Sequence, residues 1–291
     1  MATLDIFLST PWLLYLTVIF ISLCIGSFLN VVILRLPKMM HQEWRCQCEA
    51  FLEVPEGERK QEEPVTLSRP ASTCPSCGHR IRAWENIPVV SYLLLGGKCS
   101  GCKTHISARY PIIEAVTALF SVITVVIGGP SESTLLALLL VWALIALTVI
   151  DFDTQLLPDS ITLPLMWLGL MLSYFGYLGD FNSAFLGAAV GYLSLWSVYW
   201  LFKLATGKEG MGHGDFKLLA ALGAWLGWEL LPVVILLSSA VGAVVGVSLM
   251  VFKKHGREVP IPFGPYLAAA GLLCLWFGIE IQEIWYRLLG V

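Results

Sequence analysis

Eight stretches without a single charged side chain dominate this chain. They cover residues 6–34, 115–131, 133–150, 160–179, 181–202, 218–228, 230–252 and 259–279. About 20 consecutive apolar residues cross a bilayer as a helix, and most of the eight reach or approach that length. A soluble fold has no place to bury so much apolar surface: 57% of the 291 residues are hydrophobic and only 13% are charged. The pattern therefore predicts an all-α polytopic membrane protein of about eight transmembrane helices. Residues 218–228 are short for a span, so seven is the alternative. The first stretch is too long for the core of a cleaved signal, and no Lys or Arg precedes it. It is expected to be a retained membrane helix. The net charge of −3 offers no basic face for nucleic acid.

Charge orients the spans. Residues 35–109 hold 11 of the 18 Lys and Arg residues. The excess of basic residues in cytoplasmic loops predicts that this segment faces the cytoplasm. Residues 203–217 and 253–257 each carry three more basic residues, whereas the turns at 128–134 and 179–183 carry none. With eight spans all the basic loops share one side; with seven, Lys253, Lys254 and Arg257 fall outside. The N-terminus is then external. Three regions follow: residues 1–34 as the first membrane helix, 35–110 as a cytoplasmic insert, and 111–291 as a membrane core.

The insert contains two C-x-x-C pairs, Cys74/Cys77 and Cys99/Cys102, with 21 residues between them. Thiols in a cytoplasmic loop stay reduced. Four thiolates suit a tetrahedral zinc ion in a structural site, which leaves no open position for water. Four unbound thiols are the bland alternative. Gly78 and Gly101 fit the tight turns such a knuckle needs. His79 and His105 read as surface histidines nearby. Cys46 and Cys48 flank Gln47 as solvent thiols or a second metal hook, and Cys24 and Cys274 as small core residues. Residues 49–63 are acidic and interrupted by Pro55, Gly57 and Pro64, an exposed linker or an attraction for a basic peptide.

Only six aspartates occur, and four of them, Asp151, Asp153, Asp159 and Asp215, lie at the expected cytoplasmic ends of spans. Asp159, before SITLPL, fits a helix N-cap. Asp151 closes an apolar run, where a negative charge opposes the helix dipole. Asp215 follows the glycines of GMGHGDFK and opens the next run. Carboxylates at membrane depth are costly and mark function. Brought together, two of them would share one proton and act as general base and general acid. Gly212 and Gly214 would let an extended substrate lie against bare backbone. Aspartic proteolysis and proton-coupled transport both use paired membrane carboxylates, and both stay open on spacing alone. Asp151 is preferred to Asp153 because it ends the apolar run directly. Glu114, after RYPII, reads as an interfacial ion pair with Arg109 or Lys103. His213 lies within hydrogen-bonding reach of Asp215 in sequence. IPFGPYL reads as a helix start. No H-E-x-x-H, G-x-S-x-G or phosphate-loop motif competes.

GMGHGDFK contains G-x-G-D and so resembles intramembrane aspartyl proteases of the presenilin and prepilin peptidase type. GSFLNVVILRLP, CPSCGHRIRAWENIPVVSYLLLGGKCSGC, RYPIIEAVTALF, DFDTQLLPD and IPFGPYL, in this order over nearly the whole chain, resemble bacterial type IV prepilin leader peptidases of the bifunctional peptidase/N-methyltransferase kind. The resemblance implies an inner-membrane enzyme that removes the basic leader of prepilins and type II secretion pseudopilins after a glycine. It also implies methylation of the new N-terminus with S-adenosylmethionine. Asp151 and Asp215 match the family's catalytic pair, and Cys74, Cys77, Cys99 and Cys102 its zinc ligands. Gly97 falls in the stretch associated with methyl transfer. Substrate precursors and the lipid bilayer are the implied partners.

Overall fold

The computed structural model describes residues 10–57, 59, 63–253 and 262–289. Residues 6–9 of the first apolar run, part of the acidic linker, Lys254, Arg257, Pro260 and Ile261 lie outside them. Among the described residues the regular elements are all helices, and two isolated β-bridges are the only extended pairing. It divides into two compact units, residues 1–126 and 127–291.

The first unit begins with α1, Pro11–Phe51, with proline at its first turn where a missing N–H costs nothing. This helix does not stop at Leu34, where the uncharged run ends. It continues through Pro37 for another 17 residues, so the start of the expected insert is a helical extension about 25 Å long. Charged side chains every few turns obscure that continuity in the sequence, because only the membrane portion carries an apolar signal. A short 3₁₀ turn, Ala83–Asn86, and the five-residue helix α2, Val90–Leu94, lie in the insert. The helix α3, Arg109–Gly128, returns against α1. The two cross at Gly26, where a Cβ would sit 2.7 Å from the Glu114 Cα and 3.2 Å from Thr117. Without a hydrophobic force between helices in lipid, such a glycine lets backbones approach and dispersion act. One turn further on, Asn30 Nδ2 donates to the Tyr110 carbonyl (3.1 Å).

The second unit contains α4 (Glu132–Thr154), α5 (Asp159–Tyr174), α6 (Phe181–Thr206), α7 (His213–Leu226), α8 (Leu231–Lys253) and α9 (Gly264–Leu289). Among the described residues six helices, α1, α3, α4, α6, α8 and α9, are long and apolar enough to cross a membrane. Of the other two on this scale, α5 has 16 residues and α7 only 14. The brevity of α7 has a packing explanation. It is enclosed by α5, α6, α8 and α9, and every residue from Asp215 to Trp225 except Lys217 is buried. The face of α6 toward it carries Ala184, Gly187, Ala188 and Gly191. Gly187 meets Gly223 backbone to backbone, and a Cβ on Gly191 would lie 2.7 Å from the Leu219 carbonyl oxygen. Trp225 fills the space left by Gly169 and donates its indole N–H to the Leu165 carbonyl at 2.8 Å. Cys274 is buried as expected, but Cys24 is exposed on α1 rather than part of a core.

Candidate active site and metal centre

Two buried carboxylates lie at helix ends in the second unit. Asp151 occupies the last turn of α4 and is 5% exposed; Asp215 occupies the first turn of α7 and is 6% exposed. The helix α4 ends because Gln155 takes a left-handed conformation (φ +56°) and returns its N–H to the Asp151 carbonyl at 2.8 Å. This turns the following LLPD segment back over the helix end. Asp153, two residues beyond Asp151, is exposed, which is what the change of face over two residues demands.

The Asp151 side chain is held from a distant part of the sequence. The Gly264 N–H at the start of α9 donates to Asp151 Oδ2 at 2.9 Å. A helix N-terminus leaves such donors without intrahelical partners and favours negative charge. A side chain at position 264 would obstruct this contact, since its Cβ would fall 2.6 Å from the same oxygen. Leu157, on the turn after α4, packs beside this glycine (3.2 Å from the Cβ position) and also beside Gly214 (2.7 Å). One leucine therefore touches the residue before Asp215 and the residue bonded to Asp151.

These contacts revise the expected roles of the glycines. Gly214 is helical, and the space beside it is filled by Leu157, so it is not bare backbone for a substrate. Gly210 makes room for Phe202. Gly212, the residue before the helix, is exposed, and a Cβ there would make only an ordinary 3.7 Å contact with Asp215 Oδ2. His213 packs against the rings of Tyr199 and Phe216, at 5.0 and 5.4 Å. Asp159 is the first residue of its helix rather than the cap, and its carboxylate meets Lys217 Nζ at 2.6 and 2.7 Å. That ion pair ties the first turn of α5 to the second turn of α7.

In the first unit the sulfurs of Cys74, Cys77, Cys99 and Cys102 lie within 4.8 Å of one another. Cys74 and Cys102 are 3.8 Å apart, and Cys77 and Cys99 are 3.9 Å apart. Tetrahedral Zn–S bonds of about 2.3 Å place sulfurs about 3.8 Å apart, so the cluster can hold a metal ion and its spacing fits zinc. The two halves have matching backbones. Cys74 N–H bonds the His79 carbonyl and Gly78 N–H the Cys74 carbonyl; Cys99 N–H bonds the Thr104 carbonyl and Lys103 N–H the Cys99 carbonyl. Gly78 (φ +69°) supplies the left-handed residue of the first half, but Lys103 (φ +62°) supplies that of the second. Gly101, expected in that role, does not have it. The Thr104 hydroxyl and amide beside Cys102 bring its thiol down to about 6, while against the pull of the His79 amide the Cys102 sulfur pushes the Cys77 thiol up to about 11.

A support for this cluster was not evident in the sequence. Glu85 accepts the Arg82 N–H at 2.8 Å and lies 3.1 Å from His79 Nε2, which also meets the Ser100 hydroxyl at 3.1 Å. The Arg82 amide first, then Ser100 and His79, hold the Glu85 carboxyl down at about 2. His79 thus joins the two knuckles rather than pointing freely into water. Glu114 is buried and accepts the Val89 N–H at 2.8 Å. Gly97 has φ +67°, and a Cβ there would lie 2.9 Å from the Tyr92 hydroxyl. Its position thus has a conformational reason to be glycine.

Two family models match the chain: the bacterial peptidase A24 N-terminal domain over residues 20–127, and the type IV leader peptidase family over residues 138–247. Among curated relatives, a prepilin leader peptidase/N-methyltransferase of Aeromonas hydrophila is 54% identical over 95% of this chain and 94% of its own. One of the same name from Pseudomonas aeruginosa is 52% identical over 100% and 99%. Another, from Burkholderia pseudomallei, is 47% identical over 94% and 87%. No solved structure matches the chain.

Proposed function

The chain belongs to the type IV leader peptidase family, and we propose that it is a membrane aspartic endopeptidase that removes the leader from prepilins and pseudopilins and then N-methylates the new terminus. The observation that carries the proteolytic half is the pair Asp151 and Asp215, 64 residues apart in sequence, both buried at helix ends and linked through Leu157, which packs beside Gly214 and Gly264. In this reading the two carboxylates meet in the working enzyme, where like charges disfavour double ionisation and one keeps a proton. The ionised one takes a proton from water as it attacks the scissile carbonyl. The protonated one donates to the leaving amine, and the pair ends with its proton exchanged. Gly264 N–H stabilises negative charge on Asp151 Oδ2, which suits Asp151 to the ionised role.

Zinc held by Cys74, Cys77, Cys99 and Cys102 would be structural, since four thiolates close its coordination shell. S-adenosylmethionine supplies the methyl group of the second reaction. We assign that reaction to the insert, with Gly97 in its surroundings. The distribution of basic residues supports a cytoplasmic insert and active site in our reading, and the membrane is the inner one. The deciding experiment incubates purified protein with a synthetic prepilin peptide and S-adenosylmethionine and reads the product mass. A leader lost with one added methyl group supports both activities. An intact peptide, with proton uptake by the protein in vesicles, would favour transport instead.

A further inference from the structure

Among the described residues, the insert carries exposed apolar side chains close to a span. Leu93 and Leu94 are 70% and 81% exposed, Trp84 is 63% exposed, and Ile87 and Val90 are exposed as well. The 3₁₀ turn that bears Trp84 packs on α2, which bears the leucines. A water-facing loop does not ordinarily present such a contiguous set.

The depth of this segment is fixed by hydrogen bonds within the first unit. The residue that opens α2, Val89, gives its N–H to Glu114. Glu114 is five residues, about 7.5 Å, into the membrane helix α3. On α1 the same level is marked by Gly26, which packs on Glu114. The first charged residue of α1 is Arg35, nine residues or about 13 Å further along. The start of α2 is thus tied to a level inside the uncharged part of α1. Val89 holds φ +60° to make that bond, a conformation that β-branched residues avoid and that persists where the surroundings impose it.

Charge complements this placement. Residues 64–109 contain six basic residues, Arg69, Arg80, Arg82, Lys98, Lys103 and Arg109, and one acid, Glu85, a net of +5. A divalent ion on four thiolates would lower this only to about +3. Arg82 lies over the Trp84 ring at 5.2 Å. Tryptophan beside arginine is the pairing that settles at the headgroup level of a bilayer.

We propose that the turn bearing Trp84 and the short helix Val90–Leu94 form a re-entrant wedge embedded in the leaflet next to the insert. Leu93 and Leu94 contact acyl chains, and Arg80, Arg82 and Lys98 contact anionic headgroups. The wedge would fix the metal-binding knuckles against the membrane surface. This inference rests on the spans and not on the peptidase reading.

The test places the photoreactive amino acid benzoylphenylalanine at position 94 of the full chain, reconstituted in vesicles of phosphatidylethanolamine and phosphatidylglycerol. Phe20, exposed on the membrane part of α1, serves as the lipid-facing control and Ser68 as the insert control. After irradiation, intact-protein mass spectrometry is expected to show one phospholipid added at positions 94 and 20 and none at 68. Labelling at 20 without labelling at 94 overturns the proposal. So does a cross-linked dimer at 94, or a cross-link to an added prepilin peptide in place of lipid. Replacing phosphatidylglycerol with phosphatidylcholine should lower the adduct yield at 94; an unchanged yield removes the headgroup contacts from the proposal.

Discussion

Gly264 N–H and Asp151 Oδ2 meet at 2.9 Å across 113 residues of sequence. A Cβ at position 264 would lie 2.6 Å from that oxygen. Gly264→Ala should therefore displace the carboxylate and lower kcat for leader cleavage by one to two orders of magnitude, with the protein still inserted and folded. Overpacking of this kind typically costs about 1–3 kcal/mol. Peptide cleavage followed by mass spectrometry reads the rate; wild-type turnover would show that the contact does not position Asp151.

Leu157 and Gly214 provide a second, reciprocal test. Gly214→Ala should impair cleavage because the new methyl group meets Leu157 Cβ. Adding Leu157→Ala should restore part of the loss by vacating that space. Gly212→Ala, with only an ordinary contact, should remain close to wild type. A double variant no better than the single one would mean that Gly214 serves something other than room for Leu157.

Replacing either buried acid by its amide should remove cleavage almost entirely. General acid–base groups contribute roughly 10²–10⁴-fold, so Asp151→Asn and Asp215→Asn should each fall by at least about 10²-fold. The exposed Asp153→Asn should stay active. An inactive Asp153→Asn alongside an active Asp151→Asn would reverse the assignment.

Metal content can be counted directly. Purified protein should carry one zinc per chain by elemental analysis, and Cys99→Ser should carry none. Glu85→Gln keeps all four sulfurs but weakens the link from His79 to the Arg82 amide. It should speed zinc loss to a chelator without lowering the initial content. Equal loss rates would separate Glu85 from the knuckles.

The α6–α7 crossing should tolerate no added methyl. Gly187→Ala would push against the backbone at Gly223 and is expected to lower the thermal transition in detergent by several degrees. Gly176→Ala is the comparison for glycine loss without crowding: no neighbour stands near its Cβ position, and its φ of +77° is the only source of strain.

Much of this fold is legible in the order of apolar runs, because bilayer thickness sets their length. The places of Asp151 and Asp215 at helix ends follow from where those runs stop. The extension of α1 beyond Leu34 is hidden because a solvated helix carries no comparable apolar signal. The role of Leu157 is hidden for a different reason. Its contacts with Gly214 and Gly264 join positions 57 and 107 residues away, and no local periodicity encodes such pairings. Glu114 reads as an interfacial ion-pair member in RYPIIEAV, and the Val89 amide that its buried carboxylate accepts lies 25 residues away, beyond any local pattern. The IPFGPYL stretch signals a helix start, but not that the first amide of this helix reaches a carboxylate.

The helix α7 is about 21 Å long and is sheathed by its neighbours. Lipids therefore have little purchase on it. Thickening or thinning of the bilayer acts on the outer helices, which can tilt, while the height of Asp215 is set by its protein casing. The plane at which a polypeptide is cut would then be a constant of the enzyme, insensitive to the composition of its host membrane.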